Sequence, residues 1–418
     1  MRLCATLIQK NNPKMKSTLS CFTKLVLSLF ALTLVCHAEP SVTAFKLPNG
    51  GIRPQAMIDA SGVVHIVQAD SKVRGDLVYV KHHPDQNKFS KPIKVLNQAE
   101  GMAAGFNMAL GKNGRVHVMI RPTPKYSKMA MGEDAFNEMF KSKARFFVLR
   151  YMLHSRLNDA GTAFEKERNF VGGTIGFEGV GALVADSDGS NVYAFWPGQT
   201  EPGPEMDRDM YMAVSTDEGA NWSEPRKLDI DIEGNCRCCP IQATMDLEGN
   251  LYIIHRNSVK TSPTSWDKDT FVLKSEDQGK TWTKTMIQKW EKCGCPGAPY
   301  SLTSGPSGAV FGFQTRGVSS FARADSPQTI IEAPDSGNTR SRPMVAINQK
   351  DEVLFCWIEA QDVVWQVFGK DGKPMPGTSG RLEGVAAKWS NAAVVATASN
   401  DFLLYYDDAP PVAAGAKR

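Results

Sequence analysis

Short apolar stretches in strict alternation recur along this chain, each hung on a turn of small and polar residues. The pattern reads DASGVVHIV at 59–67, GKNGRVHVMI at 111–120 and DSDGSNVYAFW at 186–196. It returns as DLEGNLYIIH at 246–255, GPSGAVFGF at 305–313 and NQKDEVLFCW at 348–357, with a looser copy, ASNDFLLYY, at 398–406. Alternation of period two on both sides of a Gly- or Asn-bearing turn predicts a β-hairpin at each place.

A second pattern keeps step with the first. STDEGANW at 215–222 recurs as SEDQGKTW at 275–282, and each octet lies 28 residues past a hairpin glycine, Gly189 to Asp217 and Gly249 to Asp277. Weaker copies are NDAGTAF at 158–164 and PDQNKFS at 84–90. The octet has the chemistry of a clasped turn. Ser215 and Asp217, or Ser275 and Asp277, supply acceptors for turn amides, Gly219 or Gly279 takes the positive φ, and Trp222 or Trp282 buries its ring between units. Hairpin, loop and second hairpin tipped by the octet make four antiparallel strands per unit. The expected fold is therefore all-β, a β-propeller of four-stranded antiparallel blades. Counting hairpins gives seven blades, with the segment 41–47 completing the last and closing the ring.

The octets resemble the Asp-box, or bacterial neuraminidase repeat, of sialidase-like propellers. That resemblance implies six blades rather than seven. It also implies an exo-glycosidase acting on sialic-acid-like sugars, with three arginines holding the sugar carboxylate, a nucleophilic Tyr helped by a carboxylate, and an Asp as acid/base. Asp-boxes also occur in propellers that hydrolyse nothing, so a non-catalytic propeller that binds glycan or protein is the alternative.

If the octets and hairpin turns share one face, ligands bind on the other, where the inner strands begin. Arg53-Pro54 and Arg342-Pro343 occupy repeat-equivalent positions at such strand starts. A pair of guanidiniums there suits a carboxylate, which Arg grips with two parallel bonds. The family signature is Arg-Ile-Pro, whereas here Arg53 stands directly against Pro54. By blade and face, the resemblance offers Arg256 as the second carboxylate ligand and Arg342 or Arg316 as the third. It offers Tyr300 as nucleophile, Glu178 as its partner, and Asp70 as acid, with Asp76 competing. His65 and His117, equivalent inner-strand positions, read as hydrogen-bonded core residues.

The N-terminus modifies the charge picture. Lys16 and Lys24 precede an apolar run at 25–35, and Cys36-His37-Ala38 offers a cleavage site, so 1–38 reads as a secretory signal whose start is Met1 or Met15. The eleven-residue run is too short to span a bilayer, and Val35 disfavours lipoprotein anchoring at Cys36. Removing five basic residues from 48 leaves 43 Lys/Arg against 44 Asp/Glu, which withdraws the basic footprint that nucleic-acid binding needs. The expected product is an exported monomer, residues 39–418, one propeller domain with no stable membrane insertion and glycan, glycoconjugate or protein as partner.

Two further features stand outside the repeat. Cys236, Cys238 and Cys239 face Cys293 and Cys295 in equivalent loops of adjacent blades, while Cys356 lies in an apolar strand. Disulfides are the default in an exported chain, and a soft metal, Zn or Cu, is the alternative; no cofactor is otherwise expected. The insertion at 123–144 carries Phe136, Met139 and Phe140 at helical spacing and is placed beside the binding face.

Overall fold

The computed structural model describes residues 39–70, 75–141, 150–186, 190–236, 239–262, 265–290, 300–315, 317–334, 342–386 and 391–407. Seven of its small sheets are blades around a central channel, and an eighth is a two-stranded ribbon of Val259–Lys260 and Trp266–Asp267. Blade 1 runs from its inner strand Ile52–Ile58 through Val64–Ala69 and Leu77–His83 to Lys88–Phe89, and blade 2 from Ala103–Leu110 through Val116–Pro122 and Leu153–Arg156 to Arg168–Asn169. The inner strands of blades 3 to 7 are Ala182–Ala185, Gln242–Met245, Ser301–Gly305, Met344–Ile347 and Ala393–Ala396. Seven is the hairpin count, so the six blades implied by the family resemblance are corrected. Every one of the seven alternating segments is long enough to pair as an inner hairpin.

Blade 7 departs from the four-stranded antiparallel plan. It has three strands among the described residues, and the third, Val42–Lys46, pairs in parallel with Phe402–Tyr406. Direction explains this. The N-terminal strand must deliver the chain to the start of Ile52–Ile58 on the binding face, so it runs as a fourth strand would. Lying in the third position, it is parallel to its neighbour. The closure is fastened by Ser41, whose backbone N–H and Oγ both donate to Asp401 Oδ1 at 2.9 and 2.8 Å.

Aromatic side chains join several blades to the one before. Trp282 packs edge-on against Phe195 at 5.7 Å between blades 4 and 3, while Trp222 stacks on Phe170 at 4.9 Å on the way from blade 3 to blade 2. Phe164 meets Tyr79 of blade 1 at 5.7 Å, and His82 of blade 1 bonds the Tyr405 hydroxyl of blade 7 at 2.8 Å. Burial of one such ring contributes roughly 2–3 kcal/mol, so the blade interfaces hold most of the core.

The octets are turns. Ser275 Oγ donates to Asp277 Oδ1 and accepts from the Gly279 amide, both at 2.8 Å, and Thr281 N–H donates to Asp277 Oδ1 at 2.8 Å. Ser215, Asp217, Gly219 and Asn221 repeat the arrangement. Gly219 and Gly279 sit at φ +79° and +86°, where a side chain is strained. These bonds hold the Asp217 and Asp277 carboxyls down to about 2. In the weaker copy, Asn158 Oδ1 accepts from Thr162 N–H at 2.9 Å.

Inner strands are sheet edges, and side chains from neighbouring blades satisfy several of their backbone groups. Gln55 of blade 1 donates to the Phe106 carbonyl and accepts from the Met108 amide of blade 2, both at 2.9 Å. Asn107 of blade 2 accepts from Leu183 N–H of blade 3 at 2.7 Å and donates to Gln242 of blade 4 at 2.9 Å. His65 and His117 are buried and hydrogen-bonded, to Tyr79 and Asp59 and to His154 respectively. The insertion forms two helices, α1 (Pro124–Met131) and α2 (Glu133–Lys141), with Phe136 and Phe140 stacked at 5.5 Å. Among the described residues no helix is long and apolar enough to cross a membrane.

Candidate active site

The channel encloses about 2200 Å³ and is lined by the inner strands of all seven blades. Pockets for single small ligands run to roughly 300–1,000 Å³, so this one has room for more than a monosaccharide. Arg53, Asp70, Glu178, Tyr300 and Arg342 all line it, so five of the six candidate site residues meet in one cavity.

Arg53 reaches its place by a local distortion. The pairing between Ile52–Ile58 and Val64–Ala69 shifts register between Ile52 and Gln55, and Arg53 adopts φ +53°. A bulge of this kind re-aims the side chain, and holding a non-glycine residue there costs on the order of 1 kcal/mol. The following Pro54 lacks an N–H and is tolerated because its strand is an edge. Its carbonyl accepts from Asn391 Nδ2 of blade 7 at 3.1 Å.

Arg342 enters from blade 6. Burial first, and then the positive charge of Arg53, lowers its guanidinium to about 10, with Asp407 offsetting part of the effect. Both arginines remain cationic at neutral pH. Two like charges thus line the cavity within electrostatic reach of each other, with the Asp407 carboxylate also acting on Arg342.

Tyr300 is buried at the head of blade 5, and burial pushes its phenol up to about 12 although Arg256 pulls the other way. Arg256 itself is not where the resemblance puts it. Only 1 % exposed, it lies behind Tyr300: Nε donates to Tyr300 Oη at 3.1 Å, Nη1 to the Lys268 carbonyl at 2.9 Å and Nη2 to the Gln314 carbonyl at 3.1 Å. It is absent from the channel lining, so its assignment as a carboxylate ligand is corrected. The sequence shows an Arg closing a strand but not which way its side chain turns.

The carboxylates divide in the same way. Asp76 lines the cavity but is 4 % exposed, and its Oδ1 accepts from the Gly101 amide at 2.5 Å, which commits it to shaping the loop. Asp70 is half-buried and bonded through its amide to the Asp76 carbonyl at 3.0 Å. Glu178 lies near Arg121, whose guanidinium is lowered by burial and partly restored by the Glu178 charge. The Glu178 loop is pressed on the next blade, because a Cβ on Gly179 would stand 2.8 Å from the Cys239 carbonyl.

Arg121 is the channel arginine that sequence reasoning missed. It carries the same Arg-Pro signature as Arg53 and Arg342 but closes the strand Val116–Pro122 rather than opening one. Lys125, at the start of α1, adds a further cation at the mouth.

Of the cysteine loops, Cys238, Cys293 and Cys295 lie outside the described residues, as does Arg316. Cys236 and Cys239 are buried, and their mutual hydrogen bond, with burial, raises the Cys239 thiol well above its usual range. The Cys236 amide donates to the Arg256 carbonyl at 2.9 Å, so this loop supports the wall behind Tyr300.

No protein-family profile matches the chain, and no curated protein matches it in sequence. Among solved structures it is similar to an ulvan lyase of polysaccharide lyase family PL25 bound to -[GlcA(1-4)Rha3S]-. Identity is 11%, the match covers 87% of this chain and 95% of that one, and the TM-score is 0.54. An α-L-arabinanase of Penicillium chrysogenum aligns at 10% identity over 82% of this chain and 98% of that one, TM-score 0.48. A sialidase of Trypanosoma rangeli aligns at 14% identity over 80% and 57%, TM-score 0.47. At these identities the likeness is one of fold.

Proposed function

We propose that this propeller acts on a glycan and takes an acidic sugar unit into its channel, with the sugar carboxylate held by Arg53 and Arg342. The observation that carries this is that both guanidiniums line one cavity, close enough for the charge of Arg53 to depress that of Arg342. The likeness to a fold whose ligand contains glucuronate supports the reading. A carboxylate bridging the pair would remove the like-charge cost and gain charge-assisted bonds in a partly dry site.

The finer reading is an exported glycoside hydrolase for sialic-acid-like or uronic sugars, with Tyr300, Glu178 and Asp70 around the bond to be cut. Arg121 then takes the place of Arg256 as the third channel arginine, beside Glu178. The test is turnover: a fluorogenic sialoside and a uronate-containing oligosaccharide are offered to the wild type, Arg53→Ala and Glu178→Gln. Turnover that falls at least tenfold in both variants supports hydrolysis. Turnover unaffected by either removes it.

A second reading, binding without turnover, is favoured by the withdrawal of Arg256 behind Tyr300, which leaves the catalytic set of the sialidase type incomplete. Tight binding of an acidic oligosaccharide that is recovered unchanged would select it.

A further inference from the structure

Cys236 and Cys239, with two residues between them in the stretch GNCRCCP, bring their sulfurs together. Both carry thiols in this structure, hydrogen-bonded to each other, and the residues are 1 % and 2 % exposed. Two cations stand near Cys239, but each is committed elsewhere. Arg256 holds Tyr300 Oη and two carbonyls, and Lys268 pairs with Glu205 and donates to Ser258 Oγ at 3.1 Å. Neither cysteine lines the channel. Among the described residues no third His, Cys, Asp or Glu side chain joins the two sulfurs in a metal-holding group.

The pair sits where the chain enters blade 4. On one side, the Cys236 amide donates to the Arg256 carbonyl at 2.9 Å, and Asn235 Nδ2 donates to the Cys236 carbonyl at 2.9 Å. On the other side, the inner strand Gln242–Met245 begins three residues past Cys239, and Pro240 and Gln242 line the channel. The Cys239 carbonyl also stands against Gly179, the neighbour of Glu178 in the channel wall. A covalent tie between the two cysteines would therefore fix both the strand and the Glu178 loop.

We propose that Cys236 and Cys239 form a disulfide in the mature protein, a staple that braces the entry into blade 4 and, through the Cys239 carbonyl, the loop of Glu178. It stands whether or not the channel turns a glycan over. The oxidant is an external disulfide, which an export compartment supplies. One thiolate attacks it, releasing one external thiol and leaving a mixed disulfide. The second thiolate attacks the bonded cysteine sulfur, releases the other external thiol and closes the S–S bond. The pair loses two electrons, the external disulfide gains them, and the two cysteine protons end on the released thiols. Because both sulfurs are covered in the fold, the exchange takes place during folding, before blade 4 closes over them.

Two measurements test this. In the first, the full chain is refolded from urea in an oxidising glutathione buffer, denatured again without reductant, alkylated and cut with trypsin. Cleavage after Lys227, Arg237 and Arg256 puts the two cysteines in different peptides, Leu228–Arg237 and Cys238–Arg256. These should be recovered joined, with fragmentation placing the bond on Cys239, and should separate on reduction. Alkylated Cys236 or Cys239, or a bond from either to Cys238, Cys293 or Cys295, overturns the proposal. In the second, hydrogen exchange is compared between the oxidised wild type and Cys236→Ala/Cys239→Ala. Amides of Gly179, Val180 and Gln242–Met245 should exchange about tenfold faster or more in the variant, while those of Phe402–Tyr406 in blade 7 stay as they were. Unchanged exchange at both blade 4 and the Glu178 loop overturns the bracing role. If the variant does not fold, the peptide map still decides whether the bond exists.

Discussion

Arg53 of blade 1 and Arg342 of blade 6, far apart in sequence, face the same channel closely enough for the charge of one to depress the guanidinium of the other. Blade 7 lies between them and is closed by the N-terminal strand. The pair thus comes together only in the finished ring.

Like charges held together cost stability, and removing one should show it. Arg53→Ala is expected to leave the melting temperature unchanged or raised, because it ends both the repulsion of Arg342 and the backbone strain at φ +53°. The same variant should lose affinity for an acidic oligosaccharide by tenfold or more. Differential scanning calorimetry and a binding titration on one preparation read the two effects.

The octets should behave as clasps. Ser275→Ala leaves the buried Gly279 amide without its acceptor and is expected to cost about 1–3 kcal/mol in urea unfolding. Trp282→Ala, which empties the interface between blades 3 and 4, is expected to cost about 3–5 kcal/mol. Ligand affinity in folded protein should be unchanged in both, since neither residue lines the channel.

The clasps also set an acid limit. Hydrogen bonds lower the folded-state values of Asp217 and Asp277 to about 2 from an ordinary 3.8. A carboxyl depressed on folding contributes stability that is full above its unfolded value and is lost as pH falls through its folded value. Unfolding midpoints should therefore decline from pH 4 toward pH 2. Asp277→Asn should flatten part of that decline when wild type and variant are compared in urea at each pH.

Ring closure can be removed as a unit. A chain beginning at Glu39 should fold, whereas one beginning at Pro48 lacks Val42–Lys46 and exposes the edge of Phe402–Tyr406. Exposed edge strands recruit other chains. The shorter chain should aggregate or melt at a lower temperature, read by light scattering during a thermal ramp.

The blade rhythm was legible in the sequence because alternation and turn chemistry are local. So was the shared face of Arg53, Arg342 and Tyr300, since a fixed register carries equivalent positions to equivalent places. The parallel pairing of Val42–Lys46 was not, because direction there is set by where the chain must go next. Arg256 was misplaced for a related reason. A strand-ending arginine is the same letter whether it faces the channel or the blade interior, and what draws it inward, the carbonyls of Lys268 in the following loop and of Gln314 in the next blade, is not marked by the local sequence. Arg121 lay in plain view, at a strand end rather than a strand start.

If Arg53 and Arg342 hold a sugar carboxylate, the channel should distinguish an acidic oligosaccharide from a neutral one. Calorimetric titration of a uronate-containing oligosaccharide against its carboxyl-reduced neutral counterpart tests it most directly. The wild type should bind the acid at least tenfold more tightly, and Arg342→Gln should abolish the preference. Equal affinity for acid and neutral forms in the wild type, or a preference that survives in Arg342→Gln, would contradict it.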